Sequence, residues 1–250
     1  MTERAVVYPA SRMYYEDVLP SVKSVLYHDA ADYVYLLAED DELPEPLPPQ
    51  VEVINVSGQK WFRPNGPNTA GKRYAYLCLL RTVYARIFPE HDRILSLDAD
   101  TIVLDDLSEL WELDMDGCYL AGVPETKLSR ELGRPYINMG VALFNLQLIR
   151  QDGLDQKMLE AVNRQKYKWS EQDCINDWCS RRHFGDSGSS GTAMLLLGPE
   201  YNASKFSEPC DNPKIIHYAY TPNWQQKGPV LAYGGMSWAQ AVIGRSEGQK

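Results

Sequence analysis

The sequence holds no Cys-x-x-Cys pair, no basic stripe, no Gly-rich phosphate loop and no apolar run long enough to cross a membrane. Each absence removes a class of function. Cys78, Cys118, Cys174, Cys179 and Cys210 are odd in number and scattered, which argues against a disulfide framework or a thiolate zinc site and fits a reducing compartment. Lys and Arg total 25 against 34 Asp and Glu, a formal charge of -9, so a nucleic-acid backbone is not an expected partner. Met1 to Arg4 leads straight into Ala5-Val6-Val7-Tyr8, too short for the apolar region of a signal peptide. The expectation is a soluble, cytoplasmic protein in which the Asn-x-Ser matches at Asn55 and Asn202 carry no meaning.

What is present is an alternation of apolar runs and helical patterns. A hydrophobic content of 44% over 250 residues can bury one substantial core, and we read one domain over residues 1–250. Runs at Ala5–Tyr8, Tyr33–Ala38 and Val51–Val56, with a helical pattern from Val18 to Tyr27, have the arrangement of strand–helix–strand units in a parallel sheet. Glu39 to Gln50 carries four prolines and five acids and reads as a solvated connection. Trp61 to Gly71, rich in Gly, Pro and Asn, reads as a long lid or binding loop, and Lys72 to Phe88 as a long helix. Further on, the spacing predicts a short helix near Leu107–Leu113, a strand at Tyr119–Val123 and an apolar run Tyr136–Phe144 interrupted by Asn138, a polar residue that needs a partner. Helices near Leu154–Gln165 and Glu171–Ser180, a Gly/Ser loop at Gly185–Gly191, a strand near Met194–Leu197 and a last run Lys214–Tyr218 complete the pattern.

Chemistry concentrates where Arg93-Ile94-Leu95-Ser96-Leu97 ends in Asp98-Ala99-Asp100. In open α/β sheets ligands sit beyond the carboxyl ends of the strands, so both carboxylates would open onto that crevice. Two such charges about 4 Å apart at an effective dielectric of about 20 repel by on the order of 4 kcal/mol, and a divalent cation removes that cost. A turn or helix cap is the alternative use of the pair. His217, after Ile215-Ile216, could add an imidazole nitrogen, a mixed oxygen and nitrogen set that suits Mn²⁺, or could be a satisfied core residue. Arg81, on the preceding helix, could pair with the aspartates or with a ligand phosphate.

These residues together resemble glycosyltransferase family 8, the retaining GT-A enzymes. The resemblance runs from the first strand to about Trp224: Arg81 lies seventeen residues before Asp98-Ala99-Asp100, followed by Ile137-Asn138-Met139-Gly140-Val141 with Phe144-Asn145, then Glu171-Gln172-Asp173 with Asn176, then Ile215-Ile216-His217-Tyr218. It implies an α/β GT-A fold, a single domain with a mixed, mostly parallel sheet flanked by helices and a Rossmann-like nucleotide-binding half. The domain core would cover about residues 4–224, with 225–250 as a C-terminal extension. It implies Mn²⁺, or Mg²⁺, on Asp98, Asp100 and His217. A UDP-sugar donor would be met by Tyr8, Ala10, Arg81, Asp98, Ala99, Asp100, Asn138 and Lys227, with Glu171, Gln172 and Asp173 as the catalytic group facing the sugar. Three departures stand out. Glu171 replaces the usual Asp; the phosphate-binding lysine of Gly-x-Lys-Pro-Trp is missing from Ala219-Tyr220-Thr221-Pro222-Asn223-Trp224, leaving Lys227 as its candidate substitute; and Pro9-Ala10-Ser11-Arg12 lacks the acidic residue that commonly meets the nucleobase.

The implied reaction is metal-dependent, retaining transfer of a hexose from a UDP-sugar to the hydroxyl of a carbohydrate or glycoconjugate acceptor. Peripheral contact with a membrane surface stays open through a lipid-linked acceptor, although the tail Gly244–Lys250 is no basic amphipathic helix. Two alternatives belong to other classes. One is a catalytically silent sugar-nucleotide or glycan-binding protein on the same fold. The other is an Asp-x-Asp phosphatase of the haloacid dehalogenase type, which expects Thr or Val where Ile102 stands.

Overall fold

The computed structural model describes residues 3–11, 15–39, 47–70, 75–180 and 192–220. The expected Gly/Ser loop, the start of the helix at Lys72, Trp224 and Lys227 lie outside the described residues.

Seven strands form the main sheet: β1 (Ala5–Pro9), β2 (Tyr33–Ala38), β3 (Val51–Asn55), β4 (Arg93–Leu97), β6 (Leu120–Pro124), β7 (Ile137–Asn145) and β8 (Met194–Leu196), in the order β3-β2-β1-β4-β7-β6-β8. All neighbouring pairs are parallel except those made by β7, which runs against both β4 and β6. A mixed, mostly parallel sheet is what the near-continuous apolar runs demand, because strands buried on both faces cannot alternate with polar residues. Period-two geometry then distributes the side chains. Val7, Leu37 and Ile94 face the apolar layer under α7 (Leu154–Arg164) and α8 (Glu171–Cys179), whereas Val6, Leu36 and Leu95 face the layer under α1 (Tyr15–Tyr27).

A second, two-stranded sheet pairs β5 (Thr101–Val103) with β9 (Ile215–His217), antiparallel, with Thr101 opposite His217. Neither the strand at Thr101 nor the helices α5 (Thr126–Leu132) and α6 (Leu146–Gln151) follow from the apolar periodicity. Their signals are local. Gly133, at φ 63°, closes α5 through N–H bonds to the Ser129 and Arg130 carbonyls, and the Asn145 side chain accepts from Leu148 N–H at the start of α6.

The expected helix before the aspartates is broken. α2 (Ala75–Leu79) passes into a 3₁₀ turn (Leu80–Val83) and then α3 (Tyr84–Ile87), and Arg81 sits in the tightened turn. The remaining helix of this half, α4 (Ser108–Trp111), falls inside its expected bounds. The loop expected as a lid is stitched to α7: Asn68 Nδ2 donates to the Val162 and Gln165 carbonyls at 2.7 and 2.9 Å, and Asn163 Nδ2 to Trp61 O at 2.8 Å.

Candidate functional site

The reversed strand places the site. β4 runs towards the crevice and ends at Leu97, which pairs with Val141. Because β7 runs the other way, its first residues, Ile137 to Gly140, lie at that same edge, and Asp98 N–H extends the ladder to Gly140 O at 2.8 Å. β6 also ends there, so Glu125 follows at the rim, its N–H on Tyr136 O at 2.8 Å. The β5–β9 pair carries the last apolar run across: Tyr218 N–H donates to Asp100 O at 2.9 Å and holds His217 beside the aspartates.

One oxygen from each of Asp98 and Asp100 and one nitrogen of His217 lie within 4.8 Å of one another. His217 Nε2 is 3.3 Å from Asp100 Oδ1 and 3.6 Å from Asp98 Oδ2. The His217 ring is buried, and that burial works against its charged form. Asp100, then Asp98, outweigh this and raise its pKa, and the same attraction holds Asp100 below the usual carboxylate range against its own burial.

A chain of amides fixes which face of the imidazole meets these acids. Gly140 N–H can only donate, so the Asn138 atom it meets at 2.9 Å is Oδ1, which also accepts from Asn202 Nδ2 at 3.1 Å, while Asn138 Nδ2 donates to Glu125 Oε1 at 2.8 Å. Asn202 Oδ1 therefore accepts from His217 Nδ1–H at 3.0 Å. In the neutral ring Nε2 then carries a bare lone pair aimed at two anionic carboxylates, an arrangement that calls for a proton or a metal ion between them. The donor set of two carboxylate oxygens and one imidazole nitrogen, with its ring oriented by a neighbouring amide, fits Mn²⁺ or Mg²⁺ with further positions left for ligand oxygens.

Close packing makes the ring's seat specific. A Cβ on Gly140 would stand 2.0 Å from His217 Cε1 and 2.5 Å from Nδ1, so only glycine lets β7 pass under the imidazole. Below, Thr101 Oγ1 donates to Asp98 O at 2.8 Å and meets Ser21 Oγ at 2.8 Å, which meets the Tyr8 hydroxyl at 2.9 Å.

Arg81 is 3% exposed. It pairs with Asp98 through Nη2, donates from Nη1 to Glu171 Oε1 at 2.9 Å and from Nε to Ser96 Oγ at 3.2 Å. Burial pushes the Glu171 carboxyl up, and the Arg81 charge pulls it back. Gln172 is held by Met139 N–H, which donates to its Oε1 at 2.9 Å, and its Nε2 donates to Glu125 Oε1 at 3.1 Å. Asp173 accepts from the Tyr136 hydroxyl at 2.5 Å and from Trp169 N–H at 2.8 Å, the task of a structural brace. Asn176 is fully buried and meets both the N–H and the carbonyl of Ile137, at 2.6 and 2.8 Å, taking the place of a neighbouring strand.

The structure thus brings together Arg81, Asp98, Ala99, Asp100, Asn138, Glu171, Gln172 and His217. The Tyr8 side chain is wholly buried and supports Thr101 through Ser21, so it offers no side-chain contact to a donor. Of the two uses expected for Arg81, the pairing with an aspartate is the one present: it bonds Asp98, Glu171 and Ser96. Ala10 is buried at the end of β1 with its N–H on Leu37 O at 3.1 Å. Sequence reasoning missed Glu125 and Asn202. The signal for Asn202 was a polar residue in Tyr201-Asn202-Ala203 beside a late strand, set aside as a glycosylation match; it is 1% exposed.

Comparison with known proteins places this chain in a family. The chain is 24% identical to "Glycosyltransferase GlyA" of Streptococcus pneumoniae over 95% of its length and 36% of the relative, and 26% identical to "Glycosyltransferase GlyF" of the same organism over 98% and 64%. It therefore spans between about a third and two thirds of the curated relatives it matches. Among solved structures, GlyE of S. pneumoniae superposes with a TM-score of 0.65 at 22% identity, over 97% of this chain and 61% of that one. Galactosyltransferase LgtC, solved with donor and acceptor sugar analogs, gives 0.62 at 15% identity, over 95% of both chains. The fold is accordingly GT-A, and the aspartate-phosphatase alternative loses its support. With the profile of that family matching residues 6–226, from the second residue of β1 past the end of β9, the chain belongs to glycosyl transferase family 8.

Proposed function

We propose that this chain is a retaining, metal-dependent hexosyltransferase that moves a hexose from a UDP-sugar to an acceptor hydroxyl. The observation that carries the reading is the convergence of Asp98, Asp100 and His217, with the lone pair of His217 turned towards the carboxylates by Asn202. When bound there, a divalent cation supplies Lewis-acid neutralisation of the charge that grows on the departing diphosphate. The protein supplies position. Arg81 offsets the negative charge of Asp98 and Glu171, so the site can hold two carboxylates, an acidic sugar reader and an anionic leaving group in one crevice. Glu171 and Asn138 orient the sugar, and their own partners lock their rotamers.

Gln172 is an amide whose oxygen is already tied to Met139 N–H, which supports attack by the acceptor from the leaving-group face over a covalent adduct on this side chain. Ser11, 3% exposed at the end of β1, has a hydroxyl with no hydrogen-bond partner among the described residues, which supports a polar ligand beyond Ala10. Lys227, outside the described residues, stays the proposed substitute for the missing phosphate lysine.

The test is incubation of the purified protein with UDP-glucose and UDP-galactose and Mn²⁺, followed by mass spectrometry. Metal-dependent release of UDP, or formation of a hexosylated product, is expected. Binding of UDP-sugar without any release would support the silent binding protein instead.

A further inference from the structure

The loop after Asn202 and the segment after His217 leave the site side by side. Ala203 bridges Ile216 in parallel pairing, and its carbonyl accepts His217 N–H at 3.0 Å. Beyond this bridge Lys205 Nζ donates to Tyr220 O at 3.3 Å. Tyr220 lies at φ 53°, a left-handed conformation that costs a non-glycine residue about 1 kcal/mol or more and that clusters at functional sites. The residue is 75% exposed, and its ring stands edge-on to Phe206 with centroids 5.9 Å apart. The Lys205 ammonium lies 5.3 Å from the Phe206 ring and 5.5 Å from the Tyr220 ring. Among the described residues no carboxylate stands within ion-pair distance of it.

This cluster is continuous with the site on both sides. Tyr220 is three residues past His217. Phe206 O accepts Thr126 N–H at 2.8 Å, and Thr126 follows Glu125, the carboxylate that holds Asn138 and Gln172. Desolvation, and then the charges of Glu125, Asp98 and Glu171, raise the Tyr220 hydroxyl above its ordinary pKa.

We propose that Lys205, Phe206 and Tyr220 form an acceptor subsite for a sugar ring that carries an acidic group. The exposed Tyr220 ring, amphipathic and held in place, offers a platform for the apolar face of a pyranose. The ammonium spends one hydrogen on the Tyr220 carbonyl and keeps two for a carboxylate or phosphate on the same ring. Lys205 is exposed whereas the His217 imidazole is buried, and the effect of Lys205→Met on UDP affinity separates an acceptor's acidic group from the donor's diphosphate. The inference rests on the transferase reading above.

The experiment uses methyl β-glucuronoside and methyl β-glucoside, the same ring with and without a carboxylate, as probes in saturation-transfer NMR on the full chain with Mn²⁺ and UDP present. UDP affinity is measured separately by calorimetry. The wild-type protein is expected to bind the glucuronoside about three- to fivefold more tightly, the worth of one exposed charge pair. Lys205→Met is expected to erase that preference, and Tyr220→Ala to weaken both probes alike. Equal binding of the two probes by the wild type, binding of neither, or an unchanged preference in Lys205→Met overturns the subsite. A fall in UDP affinity in Lys205→Met also overturns it, because the ammonium would then serve the donor's phosphates. If the wild type binds no UDP, it is the transferase reading that fails, whichever probe is held.

Discussion

Replacing Gly140 by alanine tests the seat of the imidazole with a single methyl group. The added Cβ would lie 2.0 Å from His217 Cε1 and 2.7 Å from Nε2, so the ring or strand β7 must move. Overpacking of this kind costs about 1–3 kcal/mol. Gly140 has no left-handed backbone, so alanine also lowers the entropy of the unfolded chain and returns about 0.4–1 kcal/mol. The net loss is about 1–2 kcal/mol, which in a chain of this size lowers Tm by about 2–8 °C. Thermal unfolding of four proteins decides the matter: wild type, Gly140→Ala, His217→Ala and the double variant. With the ring removed the clash disappears, so Gly140→Ala is expected to be neutral or slightly stabilising in the His217→Ala background. An equal fall in Tm in both backgrounds, or none in either, would refute the packing argument. Calorimetry with Mn²⁺ adds a second readout, because a displaced ring is expected to lower metal affinity about 10- to 100-fold, as lost ligand orientation does elsewhere.

Three further outcomes follow from the same geometry. Asn202→Ala frees the imidazole to adopt either tautomer and is expected to weaken Mn²⁺ binding about 10- to 100-fold, and to cost about 1–3 kcal/mol of stability because buried polar groups lose their partner; unchanged affinity would show that the amide chain does not orient His217. Arg81→Met leaves Glu171 buried without its cation and is expected to cost about 3–5 kcal/mol in urea unfolding, with much of the loss recovered when Glu171→Gln is added; no recovery would mean that Glu171 is not the group left stranded. Glu171→Asp shortens the side chain by one methylene and is expected to change the ranking of UDP-hexoses in initial-rate assays. An identical ranking would remove Glu171 from the sugar site.

The sheet and the acidic pair were legible in the sequence because both depend on short-range pattern. The runs of β1, β2, β4 and β7 are apolar on both faces, which only strands covered on both sides tolerate, and Asp98 and Asp100 interrupt one of them abruptly. Asn138 advertised itself as a polar residue in a buried strand, and its partners proved to be Glu125, Gly140 and Asn202. Long-range pairing was not legible. β5 is three residues long, and its partner strand lies more than a hundred residues away, so nothing local marked Thr101–Val103. Glu125 and Asn202 were missed for a related reason: their roles arise only once three chain segments meet at one sheet edge. Sequence does not tell which face of β1 a side chain takes, so the pairing of the Tyr8 hydroxyl with Ser21 in the core was not legible either. The helix through Arg81 was foreseen, but its tightened turn was not, since helical periodicity carries no mark of a 3₁₀ step.

The central claim is that one divalent cation is held jointly by Asp98, Asp100 and His217. Anomalous diffraction at the manganese edge, from crystals of the protein grown with Mn²⁺ and UDP, addresses it without any assay of turnover. A single peak within bonding distance of a carboxylate oxygen from each aspartate and of His217 Nε2 is the predicted result. A manganese peak elsewhere, or full UDP occupancy with no metal among these three side chains, would contradict the account.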